Sequence, residues 1–472
     1  MRHDARKRYI AALLPVFALF ATASSLGQRQ RTNTVARQLW MRAREVVCLP
    51  SRFAVMVAIA ACSSMLGNVD SAQAVTVATT TTVTSSKDPS ACGQSVTFVV
   101  IVTVANSTTR ITDGTITITV DPELPITSLV GGSGQSSFLY PNLRSGPHRV
   151  TVTYNGTSTF DPSSASMTQV VSAAAHDFDG NCKGDILWYN TTGGQAVVWL
   201  VNGASVIGGG SPGSAPSPWA IVGQRDFNGD GFADILWRNG TTGQALIWFL
   251  NGSTVIGGGS PGSVSGTWAV AGTADFNGDG FGDILWYNTS TGQAVIWLLN
   301  GTSVVGGGSP GSAASPWTVG GVGDFNGDGK SDLLWYNTTS GQAVLWLLDG
   351  TSVIGGGSPG SAASPWTLAG TGDFNGDGKS DILWHNDTTG QVVIWLLNGS
   401  TVIGGGSPGT VLSPWTIAET GDFNDDGKSD ILWYNSTNGQ LVVWLINGTS
   451  VIGGGSPGSA PSPWVVQGMN AD

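Results

Sequence analysis

The residues of this 472-residue chain best placed to do chemistry are acidic, and they recur at a fixed interval. Asp177, Asp226, Asp275, Asp324, Asp373 and Asp422 are spaced 49 residues apart without insertion or deletion. Each opens a nine-residue segment, such as DFNGDGFAD from Asp226 to Asp234. Here Asp226, Asn228, Asp230 and Asp234 put side-chain oxygens at positions one, three, five and nine. Gly231 at position six allows a sharp turn, and the Phe232 carbonyl at position seven is free to face inward. A hard cation such as Ca²⁺ requires this alternation of oxygen donors. An EF-hand would need Glu at position twelve, but Trp237 stands there and strand-forming residues follow. Three carboxylates about 4 Å apart repel by roughly 4 kcal/mol per pair at an effective dielectric near 20. No basic residue stands at one place in every copy to relieve this, since the lysines at loop position seven (Lys183, Lys330, Lys379 and Lys428) occur in only four of the six. A cation therefore explains the loops better than a solvated acidic turn does.

The elements that must hold these loops follow from the repeat. Six copies of one unit imply a propeller, a solenoid or an array. The second copy carries four strand-like pieces, at 233–237, 244–250, 253–256 and 268–271, with tight-turn signals at Thr242-Gly243 and Asn251-Gly252. Its Ile-Leu-Trp and Leu-Ile-Trp-Phe-Leu runs are apolar on both faces, so these strands are covered on both sides. Repeated four-stranded sheets of that kind are propeller blades. Eighteen of the 19 Trp fall in the repeats, three per copy, which is ample aromatic surface for blade-to-blade packing. Residues 170–173 lack the Trp strand expected before the first loop, whereas Pro463-Trp464-Val465-Val466-Gln467 follows the last copy with no loop after it. The terminal strand is expected to complete the first blade, giving six blades, with seven as the alternative.

The loop with its following Ile-Leu-Trp resembles the FG-GAP (VCBS-type) repeat family, whose calcium loops link strands of a β-propeller. That resemblance extends the ligand assignment to Asp275, Asn277, Asp279 and Asp283, and to Asp324, Asn326, Asp328 and Asp332. It further implies Asp373, Asn375, Asp377 and Asp381, and Asp422, Asn424, Asp426 and Asp430. The first copy, DFDGNCKGD, departs: it offers Asp177, Asp179, Asn181 and Asp185 but has Cys182 where the others have Gly. A Cys at a positive φ is strained, so five or six Ca²⁺ per chain are expected. Residues 172–472 hold 6 Lys+Arg and 23 Asp+Glu, a net charge of −17, and 18 of those acids are ligand positions. Six Ca²⁺ would bring that charge to about −5.

Residues 75–171 are Thr/Val-rich and alternate with period two, as in Ser95–Val100, Thr115–Val120 and Arg149–Tyr154. Turn pairs at Asp88-Pro89, Asp113-Gly114 and Asp161-Pro162 complete the grammar of an all-β sandwich. The segments TTTTVTSS, GQSVTF and SGPHRVTVTYNG are similar to bacterial Ig-like domains of secreted proteins, which implies a stalk or spacer. His148 reads as a surface turn residue. Cys92 and Cys182 fall one in each domain, and whether they pair is left open by the sequence.

Residues 1–74 hold half of the chain's 20 Lys+Arg. Two apolar runs there, 9–23 and 53–61, follow basic residues, and neither reaches the ~20 residues needed to span a bilayer. The second is the better secretory signal, with Ala72-Gln73-Ala74 as its cleavage pattern and Met41 competing with Met1 as the start. A rival reading takes Ile59-Ala60-Ala61-Cys62 as a lipobox, with lipid on Cys62; an uncleaved anchor is a third. No transmembrane span is expected in the mature chain, which is placed outside a bacterial cell or on its surface.

The net charge of −11 argues against a nucleic-acid partner. Catalysis has little to build from. Outside the loops the propeller offers only Asp349, Asp387, Glu419, Asp425 and Asp472, with His176 and His385, and none of these repeats. His385 stands where other copies have Tyr or Arg and reads as a surface substitution. The expectation is therefore no enzyme but a monomeric binding and adhesion module for a glycan or other cell-surface polymer. A protein-contact scaffold is the alternative, and a polysaccharide-acting enzyme stands behind both. Trp219, Trp317, Trp366, Trp415 and Trp464 after Ser-Pro, with Trp268 as the third-copy equivalent, are candidate sugar platforms.

Overall fold

A computed structural model of the protein describes residues 76–468, apart from 89, 93, 122, 142, 145, 173–175 and 265. The signal, start-site and Cys62 readings fall outside the described residues. All regular elements described are strands.

The period-two segments form a sandwich. Thr79–Ser85, Val96–Val104 and Gln135–Tyr140 make one sheet. Ser90–Ala91, Ser163–Ser172, Gly146–Tyr154, Thr115–Val120 and Ile126–Leu129 make the other. The inward set, including Val96, Phe98, Val100, Ile116, Ile118, Val150, Val152 and Tyr154, is wholly buried. Each such side chain contributes about 1.5–3 kcal/mol by leaving water. His148 is not a surface turn residue. It lies buried within Gly146–Tyr154, its ring nitrogens 2.7 Å from the carbonyls of Asp121 and Arg144. Two carbonyls within reach make burial of the imidazole tolerable.

The repeats form six four-stranded antiparallel sheets. In the second sheet the strands are Trp219–Arg225, Asp234–Asn239, Gln244–Asn251 and Thr254–Ser263, from inner to outer. Sheet and repeat are thus offset by one strand, because the Trp strand ending one copy pairs with the copy that follows. In the first sheet the inner place is taken by the C-terminal strand Trp464–Val466, with Trp464 opposite Asn190 and Val466 opposite Trp188. The third strand-like piece is longer than the sequence suggested, since the GGGSPGS stretch continues it as the outer strand. Glycine is needed there: Gly258 has φ 141°, and a Cβ on it would lie 2.2 Å from the Ile247 carbonyl oxygen.

The first Trp of each copy, such as Trp237, is fully buried, and its ring centroid lies 4.9 Å from that of Trp248 in the same sheet. Apolar clusters join each sheet to the next, and one joins the sixth to the first through Phe423, Leu432, Ile186 and Trp188. Tyrosines stitch the same boundaries: the Tyr189 hydroxyl donates to the Trp219 carbonyl at 3.0 Å. His385 takes that tyrosine place and is only 15% exposed, packed edge-on against Trp433, so it is not the surface substitution its sequence context suggested.

The Ig-like domain does not stand off as a spacer. Cys92 and Cys182 form a disulfide, with their Cα atoms 5.4 Å apart. A Cβ on Gly146 would lie 3.3 Å from the Asp230 carbonyl oxygen, and one on Gly280 would meet Val170 at 2.7 Å. The sandwich is therefore docked on the acidic-loop end of the propeller.

Candidate metal centres and the open face

Each acidic loop is shaped by its own carboxylates. Asp226 Oδ1 accepts the amides of Gly229 and Asp230, and Oδ2 accepts that of Gly231 at 2.7 Å. Asp234 Oδ2 takes the Phe227 amide and Oδ1 the Leu250 amide, tying the loop to the neighbouring strand. Positions one and nine repeat these bonds in all six copies; in the first, Asp185 accepts from Phe178 and Val201. Asn228 donates to Asp230 Oδ2 at 2.9 Å, so positions three and five also face one another.

The first loop gathers its carboxylates most tightly: one oxygen each of Asp177, Asp179 and Asp185 lies within 4.8 Å of the others. Cys182 has φ 69°, close to the 89° of Gly231 at the same loop position, so the sequence located the strained backbone correctly. Arg225, which has no counterpart in the other copies, lies near Asp275 and lowers the cost of its charge.

Burial dominates the electrostatics. It pushes the carboxyl of Asp177 to about 7, Asp226 to about 7 and Asp234 to about 9. Asp185, Asp283, Asp381 and Asp430 rise to about 8, Asp332 to about 7 and Asp422 to about 6 for the same reason. Neighbouring carboxylates push in the same direction, while backbone amides pull back. Such a site needs either protons or a cation to be comfortable when buried. All-oxygen donors of this number suit Ca²⁺ and give a softer ion nothing to prefer.

The loops are also linked to one another, a feature that no local sequence pattern signals. The position-one carbonyl of each loop accepts an amide from the next: Asp177 from Ala233, Asp226 from Gly282, Asp275 from Ser331, Asp324 from Ser380 and Asp373 from Ser429. Asp422 accepts from Gly184 of the first loop at 2.6 Å, which closes the circuit. Any ion held by these residues would brace contacts between sheets as well as its own turn.

The other end of the propeller differs. Trp219, Trp268, Trp317, Trp366, Trp415 and Trp464 begin the inner strands there, and all six are partly buried with part of each indole left to solvent.

An Ig-like sandwich docked on a repeat β-propeller with acidic loops defines the class. Within it, residues 81–172 match the bacterial Ig-like domain (group 3), and residues 226–286, 275–335, 324–384 and 373–433 match the FG-GAP-like repeat. The chain is an FG-GAP repeat protein with a bacterial Ig-like domain. No curated protein sequence matches it. Among solved structures, an auxiliary nutrient binding protein from Bacteroides thetaiotaomicron is 9% identical, with a TM-score of 0.36 over 81% of this chain and 88% of its own. The dihydro-heme d1 dehydrogenase NirN is 10% identical, with a TM-score of 0.33 over 75% and 76%. Invasin, a bacterial integrin-binding protein, is 11% identical, with a TM-score of 0.17 over 81% and 79%. Likenesses this low say nothing about ligand. No helix among the described residues is long and apolar enough to cross a membrane.

Proposed function

We propose that the protein is an exported, non-catalytic binding module whose propeller is held together by Ca²⁺ and whose Trp-lined end meets a glycan. The observation that carries the binding reading is the set of six half-buried indoles on the end that the Ig-like domain leaves open. Indole faces beside polar turns suit stacking on sugar rings, and six similar rims allow weak contacts to add by avidity. At the loop end, Asp226, Asn228, Asp230, Asp234 and the Phe232 carbonyl would hold one ion, and their equivalents the others. When bound, Ca²⁺ supplies the positive charge that these buried carboxylates lack. Position nine keeps loop and strand together through its two amide bonds, and the position-one carbonyl passes that order to the adjacent sheet.

The test is a glycan array probed with the full secreted chain, with Ca²⁺ and with chelator. Calcium-dependent binding to a defined sugar class supports the reading, and a blank array overturns it. In that case the protein-contact scaffold leads, on the strength of the exposed Val-Ile pairs of the outer strands, such as Val255 and Ile256.

A further inference from the structure

The six rims are alike, but the propeller also holds a cavity that does not repeat. A cavity of ≈ 650 Å³ lies among the inner strands of the third to sixth sheets, reaching from Ala271 to Ala418. Its volume falls in the range of small-molecule sites, roughly 300–1,000 Å³. Its wall mixes apolar and glycine residues with the hydroxyl residues Ser413, Thr416 and Ser436, and one flank carries His385, Asp387, Thr367 and Trp415. His385 Nδ1 lies 2.9 Å from Asp387 Oδ1, and the Thr367 hydroxyl donates to the same oxygen at 3.2 Å. Both contacts fall on Oδ1, so the Asp387 carboxylate is oriented while Oδ2 is left to accept from a ligand. Asp387 is 57% exposed although its partner His385 is only 15% exposed.

The pair is specific to the fifth copy. Where His385 stands, the others have Tyr189, Arg238, Tyr287, Tyr336 and Tyr434; where Asp387 stands, they have Thr191, Gly240, Thr289, Thr338 and Ser436. Two departures two residues apart in an otherwise faithful array have produced one oriented carboxylate on the wall of the cavity.

Charge narrows the ligand. The four Lys of residues 172–472, at 183, 330, 379 and 428, all belong to the acidic loops at the far end. Arg238 is engaged by the carbonyls of Val264 and Trp268 and lies over the Trp286 ring. Among the described residues no Lys or Arg lines the cavity, and Asp387 would repel an anionic sugar. A carboxylate acceptor, hydroxyls and an indole on a wall of mixed polarity suit the vicinal hydroxyls and apolar face of a neutral sugar.

We propose that this cavity is a single axial site for one or two neutral sugar rings, with Asp387 accepting from vicinal hydroxyls, His385 positioning it, and Trp415 forming part of the wall. The inference shares with the proposed function the premise of a carbohydrate ligand but does not need the six rims.

The experiment is calorimetric titration of the full chain with glucose, galactose, mannose and their β-linked disaccharides, and with glucuronic acid as the anionic control. The variants Asp387→Thr and His385→Tyr install residues that other copies already carry, so both should fold. The expected result is one site per chain for a neutral sugar, none for glucuronic acid, and affinity at least about tenfold weaker in Asp387→Thr. Five or six equivalent sites unaffected by Asp387→Thr would overturn the axial site and leave the rim reading standing. One site lost in Asp387→Thr would support the axial site and overturn multivalent binding. No heat with any sugar, confirmed on a blank array, would overturn both.

Discussion

His176 Nε2 lies 3.2 Å from Glu419 Oε1, and both side chains are buried. His176 precedes the first acidic loop and Glu419 sits on the inner strand of the sixth sheet, Trp415–Gly421, so the pair spans the seam where the propeller closes. Every other copy has Gly at the Glu419 position, namely Gly223, Gly272, Gly321, Gly370 and Gly468. The contact thus marks the one junction that is not between consecutive repeats.

Removing one partner of a buried polar contact costs about 1–3 kcal/mol, because the group that remains loses part of what offset its burial. Glu419→Gly should therefore lower the melting temperature clearly, and Glu419→Gly with His176→Ala should cost less than the sum of the two single changes. Thermal melts of the four proteins measure the coupling. A coupling near zero would mean that the two residues do not act together.

Cys92 and Cys182 lie 90 residues apart in sequence, and the chain-entropy account gives about 4–5 kcal/mol for closing a loop of that size. Cys182→Gly removes the bond while giving the loop the residue that every other copy has there. The expected outcome is a sandwich that detaches from the acidic loops, seen as new protease cleavage that separates sandwich from propeller, with the propeller still melting cooperatively. Unchanged proteolysis would show that the noncovalent contacts around Gly146 and Gly280 suffice.

The loops predict an inverted pH dependence in the absence of metal. Their carboxyls titrate well above the ordinary carboxylate range, Asp234 at about 9 and Asp381 at about 8, so between about pH 4 and pH 8 the folded chain holds more protons than the unfolded one. Stability in chelator should then fall as pH rises through that window and recover on acidification toward about pH 5. Ca²⁺ competes with those protons, so its affinity should weaken on acidification, and saturating Ca²⁺ should raise the melting temperature at about pH 8 by well over 10 °C. Melts with and without chelator across that range, with metal analysis expected to find five or six Ca²⁺ per chain, decide it. A melting temperature indifferent to chelator at about pH 8 would remove the structural role of the metal.

Much of this was legible in the sequence because the architecture repeats. Period-two Thr/Val runs gave the sandwich, and the 49-residue interval with doubly apolar strands gave the propeller. What could not be read was anything that depends on two distant copies meeting. The burial of His148 depends on carbonyls at Asp121 and Arg144, and the Cys92–Cys182 bond depends on docking that no local pattern specifies. His385 looked superficial because its neighbours Tyr and Arg are polar at their tips, yet those tips reach across to the next sheet. Repetition itself hid the axial cavity, since the Asp387 substitution becomes informative only once the inner strands are seen to converge around it.

The terminal strand supplies the last prediction. Trp464–Val466 pairs with Ile186–Asn190, the Gln467 amide donates to the Leu187 carbonyl at 2.7 Å, and the Tyr434 hydroxyl donates to the Trp464 carbonyl at 3.2 Å. Trp464 and Val466 also pack against the cluster joining the sixth sheet to the first. Their burial is worth on the order of 5 kcal/mol, and losing them would bare both the edge of Ile186–Asn190 and the buried face of Trp188. Truncation after Ser459 should therefore yield a propeller that melts earlier and less cooperatively, binds a hydrophobic dye and self-associates. A synthetic peptide covering residues 460–472 should restore the melt in trans by adding back the missing strand, whereas the same peptide with Val465→Pro, which loses a backbone donor, should not. If the truncated chain melts like the intact one, the first sheet is stable with three strands and the seam does not depend on its C-terminal strand.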